Sequence, residues 1–132
     1  MNPLALAYLG DAVWEQFVRE RIMRTRSFGN NADRLHKEGV RYVNAGAQAR
    51  VVKLLLERLG ESEEALVKRA RNHKTATKAK NADPVDYKWA TGFEALLGAL
   101  ELSGQTERLA ELMEASAAMI EDHFSGERED NI

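Results

Sequence analysis

Apolar residues recur along this chain at three- and four-residue steps, the period of a helix rather than a strand. No alternating run of strand length interrupts them. The first predicted helix spans about 3–22, opened by Pro3, with Leu6, Leu9, Val13 and Phe17 as its core stripe. Residues 24–30 carry Gly29 and Asn30 and read as a loop. Asn31 caps a short second helix running through His36. A third spans about 44–59, with Ala47, Val51, Leu54 and Leu55 inward, and stops at Gly60. Ser62 caps a fourth, whose first turn carries Glu63 and Glu64, the sign the helix dipole favours. That helix is expected to fray after His73, where residues 75–81 offer no apolar anchor. Asp83 and Pro84 supply an N-cap and a first-turn proline for a fifth helix, which ends near Ser103 before Gly104. A sixth covers about 105–124, with Leu109, Leu112, Met113 and Met119 inward. The expectation is all-α: one compact domain over residues 1–124, about six main helices, then a disordered acidic tail at 125–132.

Two of these helices carry an acid where the pattern calls for a neutral residue. The fifth is apolar nearly all round from Trp89 to Leu102, yet holds Glu94 at its middle. One turn away on either side lie Ala90, Thr91, Leu97 and Gly98, none of them a cation. In the first helix Asp11 stands off the core stripe, among Ala7, Tyr8, Trp14 and Glu15. A helix apolar on two faces is buried twice, here in the core and against a second copy of the chain. Ala5, Tyr8, Ala12 and Trp14 are the candidates for that two-fold contact. If the helices meet, their acids repel unless a cation joins them, and an all-oxygen ligand set favours Mg²⁺ or Mn²⁺. The competing reading pairs a buried acid with an arginine from elsewhere, such as Arg41 or Arg50. Glu15, one turn beyond Asp11, is either a support for such a metal site or a surface acid. Thr91, one turn before Glu94, either orients a metal-bound water or packs the helix.

Composition narrows the setting. The 132 residues include no cysteine, which excludes disulfides and thiolate metal sites. The apolar stretch from Pro3 to Trp14 is too short to span a bilayer and does not resemble a signal peptide, so the expected address is cytoplasmic. Net charge is −2, but it is unevenly spread. Between Ala65 and Ala82 lie Lys68, Arg69, Arg71, Lys74, Lys78 and Lys80 with no acid among them, a segment of +6. The remaining 13 basic and 21 acidic residues leave −8. Such a cluster suits a polyanion, and the absence of aromatic residues within it tilts the choice from single strands to a duplex. The plain alternative is a solvated helix end.

Leu9-Gly10-Asp11-Ala12-Val13 resembles the signature helix of the ribonuclease III catalytic domain, and Phe93-Glu94-Ala95-Leu96-Leu97-Gly98-Ala99-Leu100 resembles its second acidic motif. The fuller match, over about 4–102, is to the family's short bacterial branch, Mini-ribonuclease III. Ala5 to Val13, Leu35-His36-Lys37, Lys68-Arg69-Ala70-Arg71-Asn72 and Lys80-Asn81 all find counterparts there. The resemblance implies an all-α endonuclease that works as a homodimer and cuts double-stranded RNA with divalent metal, Mg²⁺ or Mn²⁺. For this branch it implies precursor 23S ribosomal RNA near its ends as substrate, with a ribosomal protein on that RNA as a possible partner. Asp11 and Glu94 match the catalytic, metal-binding acids. Leu4, Ala7 and Thr91 stand where longer members carry three further acids. No double-stranded-RNA-binding domain is expected after the catalytic one, and the +6 segment is the expected substitute surface. The alternative is a relative that binds duplex RNA without cutting it.

Overall fold

The computed structural model describes residues 1–25, 31–74 and 83–130, with the backbone alone over 127–130. The described residues form six α-helices and no strand: α1 (Pro3–Thr25), α2 (Ala32–Val43), α3 (Ala45–Leu55), α4 (Glu61–Asn72), α5 (Pro84–Leu102) and α6 (Thr106–Asp130), with a 3₁₀ turn at Leu56–Arg58 after α3.

Local chemistry sets the ends. The Asn2 side chain accepts from the Leu4 N–H at 2.7 Å to start α1, and Asn31 accepts from Arg34 at 3.1 Å to start α2. Asn44 alone joins α2 to α3. Its Nδ2 donates to the Val40 carbonyl at 2.9 Å while its Oδ1 accepts from the Ala47 N–H at 2.9 Å. Asp83 accepts from the N–H groups of Val85 and Asp86 ahead of Pro84. Gly104, at φ +72°, turns the chain from α5 into α6.

α5 is the axis of the fold, with α1, α3, α4 and α6 packed about it. Its nine buried residues face every direction, which accounts for a sequence apolar all round. Small residues let the neighbours come close. A Cβ on Gly98 would overlap the Leu6 carbonyl, one on Gly10 would overlap the Glu94 carbonyl, and one on Gly92 would lie 2.8 Å from the Val67 oxygen. α1 and α4 therefore touch α5 backbone to backbone.

Several expectations need correction. The buried stripe of α1 is Leu6, Gly10, Trp14, Val18 and Ile22, whereas Leu9, Val13 and Phe17 are half-buried. A glycine contributes nothing to a hydrophobic count, so the i, i+4 row through Gly10 reads as broken and its half-buried neighbour looks better. Trp14 is accordingly no dimer contact. It is fully buried, its indole N–H donates to the Tyr42 carbonyl at 3.1 Å, and it meets Phe93 edge-on at 5.1 Å. In α3 Leu54 is 54% exposed, and Val52 is buried in its stead. α2 continues to Val43 because Tyr42 anchors it in the core. Gly60, not Ser62, caps α4, with the Gly60 N–H donating to Glu63 Oε1 at 2.8 Å. α6 runs to Asp130, into the stretch read as a tail. The loop expected at 75–81 and the last two residues lie outside the described residues. Among the described residues no helix is long and apolar enough to cross a membrane.

Candidate active site

The close crossing of α1 and α5 creates the site. Because Gly10 rests on the Glu94 backbone, the next residue along α1, Asp11, is delivered beside the Glu94 side chain. The Asp11 carboxyl lies near enough to bear on the proton of Glu94. Burial, the Asp11 contact and the Asp11 charge push the Glu94 carboxyl up to about 9, and the Glu15 charge adds to the same trend. The Gln48 side chain acts in the opposite direction, favouring the charged form. A buried carboxyl beside another acid ionises reluctantly, so the Glu94 proton is held well above the ordinary carboxylate range. The arginine alternative does not hold. Arg41 pairs with Glu38 at 3.3 Å and lies 3.6 Å over the Phe124 ring, and no arginine is among the groups that set Glu94.

Asp11 is exposed and Glu94 is largely withdrawn behind it. Glu15 is half-buried and within electrostatic reach, its outer side facing Arg19 at 3.9 Å. Thr91 is turned away from the chemistry, since its hydroxyl donates to the Tyr87 carbonyl at 2.9 Å within its own helix. Gln48 is the residue that periodicity alone passes over. It is 2% exposed on the inner side of α3, and the usable signal is an amide one turn before the buried Val51 and Val52.

Oxygen donors alone, both from carboxylates and lacking a cation, suit a hard divalent ion. Among the described residues no group of three or more acids or histidines converges. Asp11 and Glu94 are the two carboxyls that could hold such an ion. A groove of about 270 Å³ between α1 and α2 includes Glu15, Ile22, Leu35 and His36 but neither Asp11 nor Glu94, and its apolar walls do not suit a polyanion.

The basic cluster is more engaged than a free patch. Lys68 pairs with Glu64 at 2.9 Å, and Arg69 donates to the Met1 carbonyl at 3.4 Å. Arg71 lies 4.6 Å over the Trp89 ring, which Lys53 also faces at 5.5 Å. Lys74 is exposed just past α4. Lys78 and Lys80 lie outside the described residues. On α1, Ala5, Tyr8 and Ala12 are exposed, Tyr8 to 85%.

Comparison with known proteins converges on one family. The family model described as "Ribonuclease III domain" matches residues 4–105. A Mini-ribonuclease 3 of Symbiobacterium thermophilum is 50% identical over 121 residues, 92% of either chain. One of Brevibacillus brevis is 48% identical over 120 residues, 91% of this chain and 88% of its own. A crystal structure of a protein from Fusobacterium nucleatum superposes with a TM-score of 0.75 at 33% identity, covering 86% of this chain and 89% of the other. With its acidic pair on two crossing helices of an all-α domain, the chain belongs to the ribonuclease III family of endoribonucleases, among the proteins named Mini-ribonuclease 3.

Proposed function

We propose that this chain is a divalent-metal-dependent endonuclease that cuts double-stranded RNA as a homodimer, with the ends of precursor 23S ribosomal RNA as its cytoplasmic substrate. The observation that carries the reading is the Asp11–Glu94 pair: two carboxyls brought together by a glycine crossing, with no arginine or lysine among the described residues that acts on Glu94. A pair placed for structure alone would be met by a cation. The ribosomal substrate, and a ribosomal protein that presents it, rest on the likeness to the short bacterial branch.

Asp11 and Glu94 would hold Mg²⁺ or Mn²⁺, which would supply an activated water and offset charge at the scissile phosphate. Asp11, exposed, is the acid that reaches the surface where RNA lies. Glu94, behind it, binds only after its proton leaves, which ties metal affinity to pH. Glu15 deepens the negative potential that attracts the ion. Thr91 has no part in the chemistry in this reading. Leu4, Ala7 and Thr91 leave each protomer with a reduced acidic set, so Asp11 and Glu94 would be the carboxyls that hold the ion.

Lys68, Arg69, Arg71 and Lys74, extended by Lys78 and Lys80, are the proposed contact to the duplex backbone. Such contacts position RNA and carry little sequence information. Trp89 holds the Arg71 guanidinium from beneath, and Lys53 adds a further charge there. Ala5, Tyr8 and Ala12 form the proposed two-fold contact. An isologous dimer through α1 places two Asp11–Glu94 pairs on one duplex, one for each strand.

The test is a labelled precursor 23S rRNA end duplex incubated with Mg²⁺ or EDTA, beside Asp11→Asn. Paired cuts that need both the metal and Asp11 are expected. Tight binding without cuts, where a control ribonuclease III works, would move the chain to the binding-only reading. A monomer in analytical ultracentrifugation at micromolar concentration would remove the dimer.

A further inference from the structure

We infer that Lys53, Trp89 and Arg71 form a clamp for one backbone phosphate of the RNA duplex, in which the Trp89 ring is a positioning residue for the Arg71 guanidinium. This rests on the double-stranded-RNA reading above and adds to it a lysine from outside the basic segment.

Three helices contribute. Arg71 of α4 lies 4.6 Å over the Trp89 ring of α5, and Lys53 of α3 lies 5.5 Å from the centroid of the same ring. Trp89 and Arg71 are half-buried, and Lys53 is exposed. Each cation stands in the last turn of its helix, where the macrodipole favours positive charge. The dipole explains the sign at each helix end. It does not explain why two helix ends bring their charges to one ring, where like charges repel.

Elsewhere the chain meets such cations with carboxylates. Arg21 pairs with Glu121 and Glu114, Arg41 with Glu38, Arg108 with Glu63, and Lys68 with Glu64. Among the described residues no carboxylate lies within ion-pair distance of Lys53 or Arg71. The Arg71 Nε donates to Asn72 Oδ1 at 3.0 Å, a neutral acceptor, and its two outer nitrogens have no acceptor among the described residues. Those nitrogens form the planar fork that fits two oxygens of one phosphate. Lys53 adds a compact charge to the same anion. Trp89 holds the guanidinium before the phosphate arrives, which lowers the side-chain ordering that binding costs. Trp89 also stands five residues before Glu94, about 7.5 Å along α5, which keeps the clamp near the acids.

The experiment measures binding of a fluorescein-labelled RNA duplex to the full chain by anisotropy, in EDTA and across a KCl series, with a thermal melt of each variant. Methionine keeps the stem of either cation and removes its charge. Lys53→Met and Arg71→Met are each expected to weaken binding about 10-fold, the size of a lost charge-assisted contact. Lys68→Met, whose charge is already set against Glu64, should lose about 2-fold. The Lys53→Met/Arg71→Met double should lower the logarithmic salt slope by about one, because one phosphate is released. Trp89→Leu should lose as much as Arg71→Met, and Trp89→Phe, which keeps a ring face, should recover most of that loss. A Lys53→Met loss no larger than that of Lys68→Met overturns the clamp. A slope change near two assigns the cations to separate phosphates and overturns it as well. Equal losses in Trp89→Phe and Trp89→Leu remove the positioning role of the ring. Should Trp89→Leu fail to fold, the lysine and arginine variants decide alone. Wild type that does not bind the duplex overturns the double-stranded-RNA reading and this inference with it, whereas wild-type binding that Lys53→Met leaves intact overturns only the inference.

Discussion

Glu63 and Glu94 are both glutamates drawn away from water, and the fold treats them in opposite ways. Glu63, in the first turn of α4, is met by Arg108 of α6, whose guanidinium takes both carboxylate oxygens at 2.9 and 2.8 Å while a third N–H bonds the Arg58 carbonyl. That guanidinium is the largest cause holding the Glu63 carboxyl below its ordinary value. Glu94 is met by another acid, and its carboxyl is pushed up to about 9. The first arrangement ties two helices together. The second has no neutralising partner among the described residues. A second tie of the first kind joins α1 to α6 through Arg21, Glu121 and Glu114, with the Tyr42 hydroxyl donating to Glu121 at 2.7 Å.

The contrast can be broken by exchanging the two roles. The largest effect is expected from Asp11→Asn, which should reduce cleavage by about 10³-fold, the equivalent of ~4 kcal/mol of transition-state stabilisation, with the melting temperature nearly unchanged. Single-turnover cleavage and a thermal melt check this together. Gly10→Ala should damage both the helix crossing and the acidic pair, because its Cβ overlaps the Glu94 carbonyl. A destabilisation of about 3 kcal/mol is expected in urea unfolding, and cleavage should fall with the lost helix crossing.

Arg108→Ala should cost about 1–2 kcal/mol in urea unfolding and leave kcat alone, since it strands Glu63 without its partner. The pH signs then separate the two glutamates. Glu63 titrates lower in the folded state, so its stabilisation is present above the ordinary value of 4.5 and is lost as pH falls through the folded value. Glu94 titrates higher, so its contribution is full below 4.5 and is lost as pH rises toward about 9. Glu94→Gln should therefore stabilise the metal-free protein by roughly 3–6 °C at pH 8, with the gain shrinking toward pH 4.5, while cleavage disappears. Melts across that range check it. The smallest expected effect is in wild-type cleavage at limiting Mg²⁺, which should rise between pH 7 and 9 as the proton leaves Glu94, and flatten at saturating Mg²⁺.

Much of this was legible along the chain. Every helix was visible from its period and caps, because Pro84, Asp83, Asn31 and Gly104 act within one turn of themselves. Asp11 and Glu94 stood out because a charge on an apolar helix is a local contradiction. Trp14, Leu54 and Gln48 were misread or passed over for one common reason. Trp14 and Gln48 lie on rows buried in the core and Leu54 on a row left open, and in each case the helices packed alongside decide.

The amino-acid sequence by itself determined the helices, their order, the two acids and the family motifs that hold them, since these depend on residues a few positions apart. The tertiary structure alone decided which faces are buried, that Asp11 reaches Glu94 across a glycine contact, and that Gln48 is buried in α3 with its amide on the Val43 carbonyl. Those outcomes depend on where one backbone stops against another, and the spacing of residues within a helix carries no record of that distance.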